Sequence, residues 1–341
     1  MAKTYKCPGC GAPLVFEPGA DELVCEYCDT HVQISDLKES DSGPETEEKQ
    51  DFHGYVCQSC GAQLIVDEYT ASTTCCYCGS HAVIQERLEG VQKPAGVIPF
   101  EINKERAREL YKNWLCKGLF TPSVFKKAAT LENIRGIYVP FWLYDYEAEA
   151  HVEAECTRVR TERRGDTEYV HTDHYYVARH AKSNYHKIPV DASERMPDSV
   201  MDMMEPYRYE GLKTFEMPYL SGYESEKYNF ESNDGQMTQR VENRVNQYMT
   251  QDVRETIKGY SSTTFRRNDI SLTRKNAMYT LLPVWLVTYR YKGENKIFTI
   301  NGQTGKQVGE LPNSQGKMVA WFAGITISIM AILLLLGGLF G

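Results

Sequence analysis

The sequence predicts an α+β chain in which two small cysteine modules precede a mixed domain with an antiparallel sheet and amphipathic helices, and one apolar helix follows it. Three observations predict this. A four-cysteine pattern of about thirty residues occurs twice near the N-terminus, residues 94–317 mix the periodicities of strands and helices, and the last 24 residues carry no charge. A chain of 341 residues is long enough for two or three domains.

Residues 5–34 lie over residues 55–84 at a fixed offset of fifty without a gap. Tyr5, Cys7, Cys10, Gly11, Ala12, Leu14, Cys25, Tyr27, Cys28, His31 and Ile34 recur as Tyr55, Cys57, Cys60, Gly61, Ala62, Leu64, Cys75, Tyr77, Cys78, His81 and Ile84. Each copy reads C-x2-C, fourteen residues, C-x2-C. That spacing lets two knuckles approach from separate hairpins and offer four thiolates to one tetrahedral ion, for which Zn2+ is expected. Two structural zinc sites follow: Cys7, Cys10, Cys25 and Cys28 in a ribbon over 1–34, and Cys57, Cys60, Cys75 and Cys78 in a ribbon over 55–90. Gly11 and Gly61 fit the turn that aims backbone N–H groups at the sulfurs. A module this small buries too little apolar surface to fold alone, so its metal supplies much of the stability. His31 and His81 read as surface or supporting groups, Cys116 and Cys156 as small buried hydrophobes, and Cys76 as a bystander.

The N-terminus, Met1 to Cys7, lacks the apolar stretch of a signal peptide, which places the cysteines in a reducing compartment. Residues 1–90 hold five Lys/Arg against sixteen Asp/Glu, and two tetrathiolate zinc sites add further negative charge. Such a surface repels phosphate, so nucleic acid is an unlikely partner. Residues 35–54 read as an acidic linker: Ser35 to Asp51 contains seven acids and two lysines, a composition that repels itself and stays extended.

Within 94–317, Gly96 to Phe100 is extended, and a helix follows with Ala107, Leu110, Tyr111, Trp114 and Leu115 on one face. Thr121-Pro122-Ser123 opens a shorter helix through Leu131. Gly136 to Glu155 reads as a long strand that Arg164-Gly165-Asp166 folds back onto 167–179. A helix over 237–258 carries Val241, Val245, Tyr248, Met249, Val253 and Ile257 along one side. Leu282 to Leu286 echoes the Pro140-Phe141-Trp142-Leu143 string, and Lys296 to Ile300 forms another strand before a turn at Asn301-Gly302. His171, Asp173, His174, His180 and His186 crowd into one stretch, but His171 and His174 would point to opposite faces of a strand, so they read as solvated residues. Gly302-Gln303-Thr304-Gly305-Lys306 lacks the glycine and hydroxyl residue that complete a phosphate loop. With no G-x-S-x-G, H-E-x-x-H or G-x-G-x-x-G in the chain, no catalytic residues are assigned and no enzyme is expected.

Met318 to Gly341 would span about 36 Å as a helix, more than a hydrocarbon core of about 30 Å requires. The sequence therefore predicts a transmembrane tail anchor over 318–341, with Lys306 and Lys317 on the near side. That orientation gives a single-pass protein of the cell membrane with its N-terminal domains cytoplasmic.

The strings at 138–155, 217–231 and 301–312, together with the order of parts, resemble a family of bacterial TFIIB-type zinc-ribbon, tail-anchored membrane proteins. The resemblance implies a membrane-bound adaptor active in envelope stress, with SPFH-domain and PspA-like proteins as partners. Two other readings stay open: a membrane-tethered nucleic-acid binder, because many ribbons bind DNA or RNA, and a hydrolase that uses the ribbons as a lid.

Overall fold

Alternation of apolar with charged or polar residues from Tyr144 to Cys156 builds the spine of the protein, one strand of 30 residues paired along most of its length on both sides. The computed structural model describes residues 2–40, 54–56, 63–65, 70–74, 81–84, 93–122, 134–291, 294–311 and 313–340. The first module supplies β1 (Ala2–Lys3), β2 (Val15–Phe16), β3 (Glu22–Val24) and β4 (His31–Gln33). The second supplies β5 (Gly54–Val56), β6 (Gln63–Ile65), β7 (Thr70–Thr74) and β8 (His81–Ile84). There follow β9 (Gly96–Val97), α1 (Lys104–Lys117), β10 (Arg135–Arg164), β11 (Thr167–Asp191), α2 (Asp198–Met204), β12 (Lys213–Thr214) and β13 (Glu224–Glu226). The chain continues through α3 (Gly235–Thr256), β14 (Ser262–Tyr291), β15 (Glu294–Asn301), β16 (Gln307–Gly309) and α4 (Gln315–Phe340).

Eleven of these strands join one sheet. Its long pairings β10·β11 and β10·β14 are antiparallel, but β10 runs parallel to β13 and β14 parallel to β9. The sheet is therefore mixed rather than antiparallel, because the short strands β9 and β13 enter its interior from separate loops rather than from hairpins. From Ile137 to Leu143 nearly every β10 side chain is buried, since the sheet is covered on both faces there. Beyond Tyr144 only one face is covered. Ala148 and Ala150 keep that face shallow, and α3 lays Met237, Val241, Val245, Met249 and Val253 on it. Those five positions follow the helical i, i+4 spacing. The opposite face carries Glu147, Glu149, His151, Glu153 and Glu155 and stays at least partly open to water.

Two sequence expectations meet a different structure, and a third falls largely outside the described residues. The helix expected over residues 121–131 lies, beyond Pro122, outside the described residues. The first part of the expected linker, Ile34–Ser40, is 3-10 helical, and Leu37 packs against the core; residues 41–53 lie outside the described residues.

The transmembrane tail anchor over 318–341 does not stand, nor do the single-pass placement in a cell membrane and the cytoplasmic orientation drawn from it. Among the described residues no helix is long and apolar enough to cross a membrane. The described part of α4 opens with Gln315, Gly316 and Lys317 and carries Thr326 and Ser328, whose hydroxyls donate to the carbonyls of Phe322 and Gly324 at 2.9 and 2.8 Å. The leucine-rich stretch on which the expectation leaned lies, apart from Ile332 and Leu333, outside the described side chains. The start of α4 is fastened to the loop after α1, where Lys317 Nζ donates to the Thr121 carbonyl at 2.7 Å and Trp321 meets Phe120 edge-on.

Candidate metal centre

Two knuckles of the first module bring four sulfurs together. Cys7 and Cys10 flank Pro8-Gly9, and Cys25 and Cys28 flank Glu26-Tyr27. In each knuckle the backbone repeats one hydrogen-bond scheme: Gly11 N donates to Cys7 O at 2.9 Å and Asp29 N to Cys25 O at 2.9 Å. Cys7 N then donates to Ala12 O at 2.7 Å, and Cys25 N to Thr30 O at 3.0 Å. The turn needs a left-handed residue directly after the second cysteine, and Gly11 (φ 76°) and Asp29 (φ 58°) both take that conformation. Aspartate is among the few side chains that tolerate it.

The Sγ atoms of Cys7 and Cys28 are 3.5 Å apart, as are those of Cys10 and Cys25, and all four lie within 4.8 Å of one another. A tetrahedral ion with metal–sulfur bonds of about 2.3 Å sets its sulfurs about 3.8 Å apart, so the donor set and its spacing fit such an ion. Gly9 N points at Cys7 Sγ at 3.4 Å, and the Thr30 hydroxyl lies 3.1 Å from Cys28 Sγ. Against the desolvation that raises it, N–H donation from Cys10 and Gly9 brings the Cys7 thiol down to about 6. Cys28 is also lowered, chiefly by Thr30. Two sulfurs are thus predisposed to the thiolate form that a metal requires, whereas at Cys10 the Ala12 N–H is outweighed by hydrogen bonds with the neighbouring sulfurs, which push the thiol up to about 12. His31 stands apart from the sulfurs, with Nδ1 2.9 Å from Glu22 Oε1.

Behind the sulfurs, Leu14, Phe16 and Leu23 are buried in the same core as Tyr138, Tyr219 and Tyr223. Phe16 N donates to Ser221 O at 2.9 Å, the Phe16 and Tyr219 rings meet edge-on at 5.3 Å, and Lys213 pairs with Asp21. The two modules also touch. Strand β1 pairs antiparallel with β8, and the Thr4 hydroxyl donates to the His81 carbonyl at 3.1 Å. Strand β7 in turn pairs with β13, which carries the second module into the central sheet. Cys57, Cys60, Cys75, Cys78 and Cys76 lie outside the described residues, whereas His81 is described and accepts or donates a 2.9 Å hydrogen bond with Thr74.

The histidine-rich stretch of β11 is spread along the strand, each group with its own neighbour: His171 near Glu162, Asp173 with Arg160 and His186 near Asp145. His180 differs. It stacks on His151 of β10 and meets Glu149, a grouping that the reading of β11 alone did not reveal.

No family model matches the chain, and no solved structure matches it. It is similar to the uncharacterized protein YdjG of Bacillus subtilis (strain 168), with 42% identity over 342 residues that cover 99% of this chain and 99% of that protein.

Proposed function

The chain belongs to the family of Bacillus subtilis YdjG, and on that premise we propose that it is a non-enzymatic zinc-ribbon adaptor of the TFIIB type that gathers protein partners. Zinc is held by Cys7, Cys10, Cys25 and Cys28, and in the second module of equal spacing by Cys57, Cys60, Cys75 and Cys78. When bound, the ion cross-links the two knuckles of a ribbon; it performs no reaction.

One observation carries this reading. Tyr27, on the knuckle between Cys25 and Cys28, is 84% exposed, with exposed Glu26 and Asp29 beside it. The other side of the same ribbon is fastened, through Phe16 and Ser221, to the 3-10 turn that leads into β13. A rigid support that holds one large aromatic side chain in water, ringed by carboxylates, suits a protein surface with an apolar pocket and a basic rim. The same carboxylates disfavour a phosphate backbone. Proteins of the SPFH-domain and PspA-like kinds are the partners proposed.

The test uses zinc-loaded full-length protein, immobilised and exposed in turn to a purified PspA-like protein, an SPFH-domain protein and a short DNA duplex. Saturable binding of either protein, with none of the duplex, supports the adaptor. Salt-sensitive binding of the duplex alone replaces it with a nucleic-acid binder.

A further inference from the structure

A second cluster of metal-binding side chains lies on the open face of the long hairpin. Residues Glu149 and His151 are two apart on β10 and therefore share a face. In the antiparallel register His151 stands directly opposite His180 of β11. The two imidazoles stack with centroids 4.1 Å apart and planes inclined by 18°. His180 Nε2 lies 2.7 Å from Glu149 Oε1. One ligand atom from each residue lies within 4.8 Å of the other two.

Charge balance singles out this trio. The neighbouring carboxylates of that face are matched by lysine or arginine: Glu147 by Lys182 and Lys275, Glu155 by Arg266, and Asp269 and Glu153 by Arg267. Glu149 faces Lys182 across the strand pair, but its hydrogen bond is to the His180 imidazole.

We propose that Glu149, His151 and His180 form a metal site for a borderline divalent ion, with Zn2+ as the reference case. Two nitrogens and one carboxylate oxygen suit zinc, nickel or copper better than calcium or magnesium. Bonds of about 2.0–2.2 Å place neighbouring ligand atoms about 3.3 Å apart. Exposed side chains reach that spacing by rotation about their own torsions while the paired strands stay fixed. Three protein ligands leave the remaining position to water. Asp269 of β14, opposite His151 on the other side, is within one strand spacing and flanks the site.

The experiment is a calorimetric titration of Zn2+ into full-length protein that has first been loaded with zinc and freed of excess, so that the thiolate sites are already filled. Wild type is expected to take up one further equivalent. His151→Ala and His180→Ala are each expected to lower that affinity at least tenfold, and Glu149→Gln to lower it too. His171→Ala, an exposed histidine elsewhere on β11, is expected to bind as wild type does. Because all four side chains lie on the surface, unchanged circular dichroism will confirm folding. No uptake beyond the thiolate sites, or uptake that persists in both histidine variants, would overturn the proposal and leave the trio as a histidine–carboxylate ion pair.

Discussion

The Ser221 hydroxyl donates to the Leu14 carbonyl at 2.5 Å, joining residues 207 positions apart and fastening the first ribbon to the 3-10 turn that leads into β13. The adjoining Gly222 has φ 91°, and a Cβ built there would sit 2.3 Å from Val15 Cγ1. Ser221→Ala is expected to lower stability by about 1–2 kcal/mol, because it leaves the buried carbonyl without its donor. Gly222→Ala should cost more, since it adds backbone strain to overlap. Hydrogen exchange of residues 4–34 is the readout: both variants should speed exchange there while the amides of α3 keep their protection.

Arg240 holds three acids at the junction of α2, α3 and β11. Its guanidinium lies 2.6 Å from Asp191 and 3.1 Å from both Asp198 and Asp202. The Asp191 side chain is fully buried, so Arg240→Met strands a carboxylate in the interior, at a cost of about 3–5 kcal/mol. Adding Asp191→Asn should recover part of that loss. Urea denaturation of the two variants checks both statements.

Glu205 provides a pH test. Burial pushes its carboxyl up to about 7, against the hydrogen bonds it accepts from Tyr209. Because the folded-state value lies above the ordinary one near 4.5, the folded protein binds the extra proton in between, and stability falls as pH rises from about 4.5 to 7. Glu205→Gln should therefore stabilise the protein at pH 8 by roughly 1–3 kcal/mol and have little effect at pH 4.5. Thermal unfolding of both proteins across that range measures it.

Removal of zinc by a strong chelator should loosen the ribbons before the sheet. Loss of the ion removes the bonds that join the two knuckles of a ribbon, whereas α3 and the long strands keep their apolar core. Metal analysis and exchange measurements on the same sample should show zinc loss accompanied by faster exchange within the two cysteine modules, while α3 and the long strands keep their protection. Cooperative loss of the whole fold is the opposite outcome.

Much of this arrangement was written in short-range pattern. The four-cysteine spacing pointed to the two knuckles of the first module, and the i, i+4 spacing of Val241, Val245, Met249 and Val253 located α3 to within two residues of its ends. The Pro140-Phe141-Trp142 and Pro283-Val284-Trp285 strings looked alike because they are neighbours: Tyr138 faces Pro283 and Pro140 faces Leu281 in one antiparallel pair. Even His151 and His180 were within reach, since counting outward from the turn at Gly165-Asp166 pairs them directly. Other features needed the fold itself. The first half of β14 is mostly polar because one face is solvated, so only Leu282 to Leu286 stood out as strand. Asp29 takes the left-handed position that Gly11 fills in the other knuckle, and the only sign of it in the sequence is Gly79, its counterpart in the repeat. The parallel pairings of β9 and β13 join two-residue and three-residue strands through distant loops, which no local periodicity records.

The most direct test of the adaptor concerns Tyr27. Zinc-loaded wild type and Tyr27→Ala would be titrated with a purified PspA-like protein, and their dissociation constants compared at equal zinc content. A weakening of at least tenfold, about 1.4 kcal/mol, with no loss of zinc or fold, is the result predicted for an aromatic anchor at the centre of an interface. Equal affinity of the two proteins would contradict the claim that this knuckle is where partners are bound.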